Sequence, residues 1–284
     1  MDCGRDCSHS WLYAKAKRMR LNMEERQKYI LSFSGGKDST FLLLELIRRQ
    51  YPLDEVVFFD TGWEFPSMYE HIERCKKICS DAGINFVTLY PDYDFDYYMF
   101  DYEFTKRNGE QQNGRSWCGG VCRWGTFEKK KVLDKFAEQN KNNVVYIGIA
   151  SDETERLAKK RETYKRFPLA EWGITESQCL QGCYDAGFDW GGMYEHLDRL
   201  SCKFCKNKNL KELRNIRKYY PSVWEELKDY QRRTNRPYKG EGQSVFDLEK
   251  RFALEDERTA HGLPINNRDF FDTLKKIIDA NTTE

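Results

Sequence analysis

The sequence predicts an α/β fold in which a doubly wound, mostly parallel sheet is followed by a C-terminal helical lobe. Short apolar runs of strand length alternate with helix-length segments from residue 28 onward, and glycine or proline marks several of the turns between them. Strand signals become sparse after residue 151. The 284 residues, 39% of them hydrophobic, suffice for a large core and exclude a disordered or fibrous chain.

Each element is expected from its local pattern. The apolar runs predict strands over residues 29–33, 54–60, 84–90 and 143–150 and a short strand near 167–170. Apolar residues at helical spacing predict helices over residues 40–49, 66–82, 126–139, 210–233 and 246–255. Residues 91–117 show no clean period and are expected to form an irregular insertion. The expected parts are a basic N-terminal arm over 1–27, an α/β domain over 28–170 and a helical lobe over 171–284.

Composition limits the classes of function. Forty-seven basic and 46 acidic residues nearly cancel, so binding to a polyanion requires a local patch. With a mean hydropathy of −0.83 and no long apolar stretch, we expect a cytoplasmic protein without a membrane partner. Ten cysteines in a reducing compartment indicate metal, cluster or thiol chemistry.

A glycine-rich segment lies between the first predicted strand and helix. It contains two glycines, which allow close approach to an anion, and two serine hydroxyls that can donate hydrogen bonds. Backbone N–H groups of such a loop and of a following helix can bind phosphate. The Walker pattern GxxxxGK[ST] is absent, which argues against a standard P-loop hydrolase. The segment consists of Ser34, Gly35, Gly36, Lys37, Asp38 and Ser39.

This segment, SGGKDS, resembles the SGGxDS loop of the PP-loop ATP pyrophosphatases, and three further segments resemble the phosphoadenosine phosphosulfate (PAPS) reductase family within it. These are Asp60–Pro66 (DTGWEFP), Gly148–Arg156 (GIASDETER) and Phe167–Trp172 (FPLAEW). The resemblance implies an adenine nucleotide alpha hydrolase-like fold. It also implies an enzyme that binds ATP with Mg²⁺ and releases pyrophosphate while a substrate oxygen attacks the α-phosphate.

The resemblance also implies roles for individual residues. Ser34 to Ser39 would bind the phosphates, with Lys37 offsetting charge and Asp38 a Mg²⁺ ligand, and these two are the candidate catalytic residues. Asp60, Thr61 and Gly62 follow the second predicted strand and would face the nucleotide, because ligands bind at the carboxyl ends of strands in such sheets. Arg156 would contact a phosphate.

Two close cysteine pairs stand about eighty residues apart: Cys118 with Cys122, and Cys202 with Cys205. Thiolates at this spacing suit Zn²⁺ or an iron–sulfur cluster. The pairs resemble the [4Fe-4S] ligands of sulfonucleotide reductases and of PP-loop thiolation enzymes, although the reductases have adjacent cysteines where this chain has CxxxC. A [4Fe-4S] cluster is therefore the first hypothesis and Zn²⁺ the alternative.

The remaining cysteines are expected to be structural or silent. Cys75 and Cys79, like Cys179 and Cys183, are four residues apart on predicted helices, which is typical of core packing. Cys3 and Cys7 lie in the basic arm.

The resemblance to reductases lacks one part. Their nucleophilic cysteine lies in a C-terminal tail, and no cysteine follows Cys205 in this sequence. We therefore expect ATP-driven sulfur transfer, with a sulfonucleotide reductase and a non-catalytic nucleotide- or nucleic-acid-binding module as alternatives.

A basic stretch adjoins the second cysteine pair. Residues 203–218 contain seven basic side chains and one acidic one, followed by Tyr219 and Tyr220. Such a stretch predicts contact with a phosphate backbone, and the tyrosines could stack on bases. DNA phosphorothioation and RNA thiolation are the concrete hypotheses, with a cysteine desulfurase as the expected sulfur donor. The basic residues are Lys203, Lys206, Lys208, Lys211, Arg214, Arg217 and Lys218.

Overall fold

The computed structural model describes residues 27–117, 122–139, 142–159, 162–234 and 236–280. It contains a five-stranded parallel sheet. The seven strands are β1 (Lys28–Phe33), β2 (Glu55–Phe59), β3 (Asn85–Leu89), β4 (Glu103–Thr105), β5 (Gln111–Asn113), β6 (Asn143–Ile147) and β7 (Lys165–Arg166). The sheet has the order β3-β2-β1-β6-β7, while β4 and β5 form a separate antiparallel hairpin.

Helices connect the strands and form nearly all of the regular structure after β7. They are α1 (Lys37–Arg48), α2 (Pro66–Asp81), α3 (Lys129–Gln139), α4 (Thr154–Leu157), α5 (Pro168–Glu171), α6 (Glu176–Asp185), α7 (Met193–His196), α8 (Leu210–Tyr219), α9 (Pro221–Arg232), α10 (Val245–Ala260) and α11 (Arg268–Asp279). Two short π-helices, Tyr97–Asp101 and Arg123–Glu128, and a 3₁₀ turn, Trp190–Gly192, complete the described elements.

The chain divides into two compact units that alternate along the sequence. The first unit comprises the described residues of Met1–Phe59, Glu70–Leu89 and Leu133–Phe188. The second comprises those of Asp60–Tyr69, Tyr90–Val132 and Asp189–Glu284.

The sheet lies in the first unit, and its central strands are apolar. Four consecutive residues of β2, Val56 to Phe59, are buried, as expected for a parallel strand that is covered on both faces. Helix α1 buries Leu42, Leu43 and Leu46 and packs against α6. Strand β1 pairs with β2 on one side and β6 on the other, so the strand order reverses next to β1. In such sheets the ligand site lies at the carboxyl ends of these strands.

The second unit has an aromatic core. Trp63 contacts Phe204 and Tyr230 with ring centroids 4.6 and 5.1 Å apart, both nearly edge to face. A smaller apolar cluster, which includes Leu254 and Phe270, joins α10 to α11.

The predicted α/β class, the parallel sheet and the helical C-terminal part are confirmed. The strand expected near Phe167–Ala170 is wrong, because these residues begin α5, with Pro168 at the first helical turn, and the strand is Lys165–Arg166. The segment expected to be irregular, residues 91–117, contains the β4–β5 hairpin and a π-helix. The helix expected over 210–233 is two helices that meet at Tyr220 and Pro221.

Two further expectations concern the N-terminal arm and membrane-spanning helices. The predicted basic arm, with Cys3 and Cys7, lies outside the described residues except for residue 27. Across the described part of the chain, none of the helices has the length and apolar character needed to cross a bilayer.

Candidate functional site

The predicted phosphate loop connects β1 to α1 in the first unit. Gly35 has φ of +77°, a left-handed conformation that glycine adopts without strain, and Gly36 caps α1 without any side-chain hydrogen bond. Ser39 Oγ accepts a hydrogen bond from the Ser34 N–H (3.2 Å) and lies 3.0 Å from Ser34 Oγ. These contacts hold the two ends of the loop, Ser34 and Ser39, together. The N-terminus of α1 carries no side-chain cap that would compete with an anion.

The loop packs tightly against the end of the neighbouring strand. A Cβ atom placed on Gly148, just after β6, would lie 2.9 Å from Ser39 N and 3.0 Å from Asp38 C. Only a residue without a side chain allows this approach. The resemblance to the family named the segment Gly148–Arg156, and the structure gives the glycine a steric reason.

Three carboxylates and one ammonium group meet at this loop. Lys37 Nζ lies 3.1 Å from Asp38 Oδ2 and 2.6 Å from Glu176 Oε1. Asp38, Glu153 and Glu176 place one carboxylate oxygen each within 4.8 Å of one another. Lys37 and Asp38 were predicted from the sequence, but both glutamates were missed, although Glu153 lies inside the segment Gly148–Arg156.

Glu176 is held in place by its own helix start. Thr175 caps α6 and forms a reciprocal capping box with Gln178, and the Glu176 N–H donates to Asp152 Oδ1 at 3.0 Å. The motif Thr-x-x-Gln was the available sequence signal for this helix start, but nothing in it indicated proximity to Lys37.

Burial and charge act differently on the two loop residues. Burial raises the pKa of the Asp38 carboxyl, and the neighbouring Lys37 only partly opposes this. Burial disfavours the charged form of Lys37, but hydrogen bonds and charges from Glu176 and Asp38 outweigh it, so the pKa of the lysine is raised. Lys37 therefore stays protonated at neutral pH.

Two cysteines of α6 face the same loop from within the core. Cys179 and Cys183 are fully buried, and Cys183 Sγ lies 3.4 Å from the Lys37 carbonyl oxygen. Burial raises the pKa of both thiols, to about 12 for Cys183. The predicted core packing is confirmed for this pair and for Cys75 and Cys79, which are also fully buried.

Arg156, predicted to meet a phosphate, forms an ion pair with Glu153. Its side chain is about half exposed. The pair thus joins the predicted arginine to one of the three carboxylates near the loop.

Asp60, Thr61 and Gly62 belong to the second unit. Asp60 Oδ1 accepts hydrogen bonds from the Gly62 N–H (2.8 Å) and the Tyr69 hydroxyl (3.0 Å), which shapes the turn after β2. These three residues line a cavity of about 570 Å³ whose wall also contains several aromatic side chains, among them Tyr90, Tyr93 and Phe95.

Three of the four predicted metal ligands line one small cavity of the second unit, which we call the cysteine cavity. Cys122, Cys202 and Cys205 contribute to its wall, and its volume is about 40 Å³. Cys118, the fourth predicted ligand, lies outside the described residues. The other lining residues are Trp63, Phe95, Tyr98, Ser116, Trp117, Trp124, Phe204 and Lys206.

A glycine leaves room between two of these sulfur atoms. A Cβ on Gly125 would lie 3.5 Å from Cys202 Sγ and 3.9 Å from Cys122 Sγ, so both sulfurs face the same point of the backbone. The Gly125 N–H also lies 3.3 Å from Cys122 Sγ, as a donor to that sulfur. Gly125 lies three residues after Cys122 and was not predicted from the sequence as part of this site.

The groups around the cysteine cavity are strongly desolvated. Burial raises the pKa of Cys202 to about 12, and burial lowers the pKa of the Lys208 ammonium, whose side chain is fully enclosed. The Tyr238 hydroxyl donates to the Cys205 carbonyl oxygen at 2.7 Å and fixes the CxxC turn. A soft cation that binds thiolates would have to displace the Cys202 proton, and Lys208 nearby would favour the resulting negative charge.

The basic stretch of residues 203–218 is largely neutralised within the second unit. Lys203, Lys211, Arg214 and Arg217 form ion pairs with acidic side chains, and Lys208 is buried against Ser201. Tyr219 is 43% exposed, stacks on His196 with centroids 3.7 Å apart and has Lys218 Nζ at 4.9 Å. Tyr219 was predicted from the sequence as a residue that could stack on a base, but its stacking on His196 was not, and most of the predicted basic residues have internal partners. The acidic partners of the four paired residues are Glu226, Asp198, Glu255, Glu249 and Asp256.

Comparison with known proteins gives one family match. Residues 28–177 match the model of the phosphoadenosine phosphosulfate reductase domain. Two uncharacterized proteins of Methanocaldococcus jannaschii are 27% and 26% identical over 74% and 71% of this chain. A phosphoadenosine 5′-phosphosulfate reductase of Photorhabdus laumondii is 22% identical over 51% of the chain.

The coverage of these relatives is partial. The matches span 43%, 47% and 57% of the three proteins, so the chain spans about half the length of the curated relatives it matches. Among solved structures, the U34-tRNA thiolase NcsA from Methanococcus maripaludis with its [4Fe-4S] cluster is 16% identical, with a TM-score of 0.38 and 70% of this chain and 72% of that chain covered.

Proposed function

Because the chain belongs to the phosphoadenosine phosphosulfate reductase domain family, we propose that it is an ATP-dependent enzyme of sulfur transfer. ATP binds with its phosphates at Ser34–Ser39, and the enzyme transfers the adenylyl group to a substrate oxygen with release of pyrophosphate. A sulfur nucleophile then displaces AMP from the activated substrate. The observation that carries this proposal is the loop at the strand-order reversal, where a glycine-capped helix start lies beside Lys37 and three carboxylates.

The adenylation step needs charge compensation at the leaving group. The substrate oxygen attacks the α-phosphorus, and the bond from that phosphorus to the bridging oxygen breaks, so pyrophosphate leaves with the electron pair. Lys37, whose pKa is raised, and the N-terminus of α1 would stabilise this negative charge. Asp38 and Glu176 hold the ammonium at the loop through bonds of 3.1 and 2.6 Å.

The acidic groups at the loop fit a magnesium ion. Mg²⁺ prefers carboxylate oxygens, and Asp38 Oδ1 is buried with no hydrogen-bond partner among the described residues. Asp38, Glu153 and Glu176 would hold the ion, which would offset the charge of the ATP phosphates when bound.

The cysteine cavity fits a thiolate-bound group. Cys122, Cys202 and Cys205 line it, and the sequence offers Cys118 as a fourth ligand. Two buried donors in its wall, Trp117 Nε1 and Ser116 Oγ, have no partner among the described residues. We propose that these cysteines hold a [4Fe-4S] cluster that carries or positions the sulfur, with Zn²⁺ as the alternative.

The thiols near the loop do not favour a sulfonucleotide reductase. Such a reaction needs a thiolate that attacks sulfonate sulfur. Cys179 and Cys183 are fully buried, and burial raises the pKa of both. This supports sulfur transfer from an external donor, for which we propose a cysteine desulfurase, with a thiol reductant supplying the two electrons that convert its persulfide sulfur to the sulfide level.

We propose a nucleic acid as the acceptor. The support is exposed Tyr219, which stacks on half-buried His196 and has Lys218 beside it, so that it offers an aromatic surface for a base and a cation for a phosphate. RNA thiolation and DNA phosphorothioation are the two reactions that fit.

Pyrophosphate release from ATP tests the proposed function. The protein is assayed without oxygen with Mg²⁺ and ATP, in the presence of bulk transfer RNA, duplex DNA or neither. Wild type should release pyrophosphate when its acceptor is present, and Asp38→Asn should lower the rate roughly a hundredfold because it removes a charge at the reacting phosphates.

The matched control is Glu155→Gln, an exposed carboxylate of α4 two residues from Glu153. It should react at the wild-type rate. Equal rates for Asp38→Asn and Glu155→Gln would refute the role of the loop, and thiol-dependent sulfite release from a sulfonucleotide would replace the proposal with reductase activity.

A further inference from the structure

Three consecutive residues of the second unit, Arg115, Ser116 and Trp117, have buried side-chain donors without a hydrogen-bond partner among the described residues, and the last two line the cysteine cavity. Trp117 is 4% exposed, and neither its indole N–H nor the Ser116 hydroxyl has a partner among the residues that the structure describes. An unpaired buried donor destabilises a folded chain, and native proteins rarely retain such donors side by side. The pair therefore indicates a group that accepts hydrogen bonds.

The backbone holds these donors in a strained conformation. Ser116 has φ of +52°, which is uncommon for a residue other than glycine. The Ser116 N–H donates to the Met99 carbonyl (3.0 Å) and the Arg115 N–H to the Tyr98 carbonyl (3.1 Å), so the segment is fixed against the π-helix Tyr97–Asp101. Strain that the surrounding structure maintains is typical of binding sites.

The cavity beside the two donors offers them sulfur. Ser116 and Trp117 line the cysteine cavity together with Cys122, Cys202 and Cys205. Among its described lining residues there is no carboxylate and no side-chain amide. The Gly125 N–H already donates to Cys122 Sγ at 3.3 Å, so one sulfur of this cavity accepts a hydrogen bond.

We propose that the Trp117 indole N–H and the Ser116 hydroxyl donate hydrogen bonds to sulfur atoms of an iron–sulfur group bound by these cysteines. The inference deepens the proposed function and depends on its cluster. Both residues are positioning and tuning residues, since they touch the bound group and not the substrate. Reduction adds negative charge to the sulfur atoms, and hydrogen-bond donors stabilise that charge. They therefore raise the reduction potential.

The chain contains its own control for this inference. Trp124 lines the same cavity and is 3% exposed, but its indole N–H donates to the Thr61 carbonyl oxygen at 3.1 Å. Replacing either tryptophan by phenylalanine removes an N–H and keeps a large aromatic ring. Only the Trp117 change removes a donor that is available to the bound group.

The experiment measures the midpoint potential of the cluster in full-length protein purified without oxygen. Wild type, Trp117→Phe, Trp124→Phe and Ser116→Ala are titrated with a reductant and followed by electron paramagnetic resonance. Iron and acid-labile sulfide are determined for each sample. Trp117→Phe and Ser116→Ala should retain the cluster and have more negative potentials than wild type, while Trp124→Phe should match wild type.

Several results would overturn the inference. These are equal potentials for Trp117→Phe and Trp124→Phe, or a bound zinc ion without sulfide in the wild type. If Trp117→Phe loses iron, Ser116→Ala decides, and an unchanged potential there counts against the inference. ATP-dependent pyrophosphate release is measured on the same samples. If the wild type releases pyrophosphate and the variants keep its potential, the inference is wrong and the adenylation proposal stands. If the variants have shifted potentials and the wild type releases no pyrophosphate, the adenylation proposal is wrong and the inference stands.

Discussion

The loop after β1 and the cysteine cavity differ in how far their polar groups are paired. At the loop, the Lys37 ammonium is paired with Asp38 and Glu176, and one carboxylate oxygen, Asp38 Oδ1, is buried without a partner in the described chain. In the cysteine cavity, Trp117 and Ser116 carry buried donors without an acceptor in the described chain. A paired site can exchange one partner for a ligand, whereas an unpaired site is incomplete until a ligand binds.

From this difference we expect that substitutions in the cavity affect a permanently bound group. Substitutions at the loop should affect the binding of ATP, which exchanges. The largest effect is expected for Cys202→Ser. It removes one of the three described thiols of the cavity, and metal content should fall at least roughly tenfold. Iron, zinc and sulfide are measured in protein purified without oxygen. Cys79→Ser, a buried thiol of the first unit, is the control and should retain the metal. Equal metal in the two variants would exclude the cavity as the metal site.

At the loop, Gly148→Ala should weaken ATP binding roughly tenfold. The new Cβ would lie 2.9 Å from Ser39 N, so the loop must shift, which in a tightly packed region costs about 1–3 kcal/mol. Calorimetric titration with ATP measures the change.

Gly83→Ala separates this effect from a general loss of stability. Gly83 has φ of +70° and open space around it, so alanine introduces backbone strain far from any crowded contact. We expect a lower melting temperature but wild-type ATP affinity. Similar affinities for Gly148→Ala and Gly83→Ala would contradict the steric role of Gly148.

A bulky residue at position 125 should lower the metal content of the cysteine cavity and leave ATP binding at the loop unchanged. Gly125→Val places methyl groups near Cys202 Sγ and Cys122 Sγ, which lie 3.5 and 3.9 Å from the Cβ position, and should reduce metal content several-fold. ATP affinity should stay at the wild-type value. A variant with full metal content would show that the space beside Gly125 is not used by the bound group.

A separate prediction concerns stability, which should depend on pH in the unit that carries the loop. Burial lowers the pKa of His71 to about 4, and its Nε2 lies 2.9 Å from Thr40 Oγ1 on α1. The folded pKa is below the usual 6.5, so the contribution to stability is present above pH 6.5 and is lost as the pH falls toward 4.

Urea unfolding at pH 7 and pH 4.5 measures this contribution. The free energy of unfolding should fall by up to about 3 kcal/mol more in wild type than in His71→Gln, which does not titrate. A parallel fall in both proteins would contradict the assignment to His71.

The sequence indicated the loop well because its residues are consecutive, and the α/β alternation gave the sheet. It did not indicate Glu176, because its proximity to Lys37 arises from the packing of α6 on α1. Trp117 precedes Cys118 directly, yet an unpaired indole N–H has no sequence signature. The sequence did not indicate that Arg214 and Arg217 have internal partners, because the acids that pair with them lie on α10, more than thirty residues further along the chain.

Neither the alternation of the two units nor the short helix at Pro168 followed from local patterns. The chain passes from one unit to the other several times. Contacts between residues far apart in the sequence decide which segments form each unit. At residues 167–170 the apolar run favoured a strand, while the proline at the first turn of α5 was the contrary signal.

The bond that is broken in ATP tests the central claim most directly. Phosphorus NMR of a reaction with ATP, Mg²⁺, the nucleic-acid acceptor and sulfide as the sulfur source distinguishes the products without any label. We expect AMP and pyrophosphate in equal amounts, both formed roughly a hundredfold more slowly by Asp38→Asn. ADP and inorganic phosphate as the products would contradict the central claim, since they require attack at the γ-phosphate.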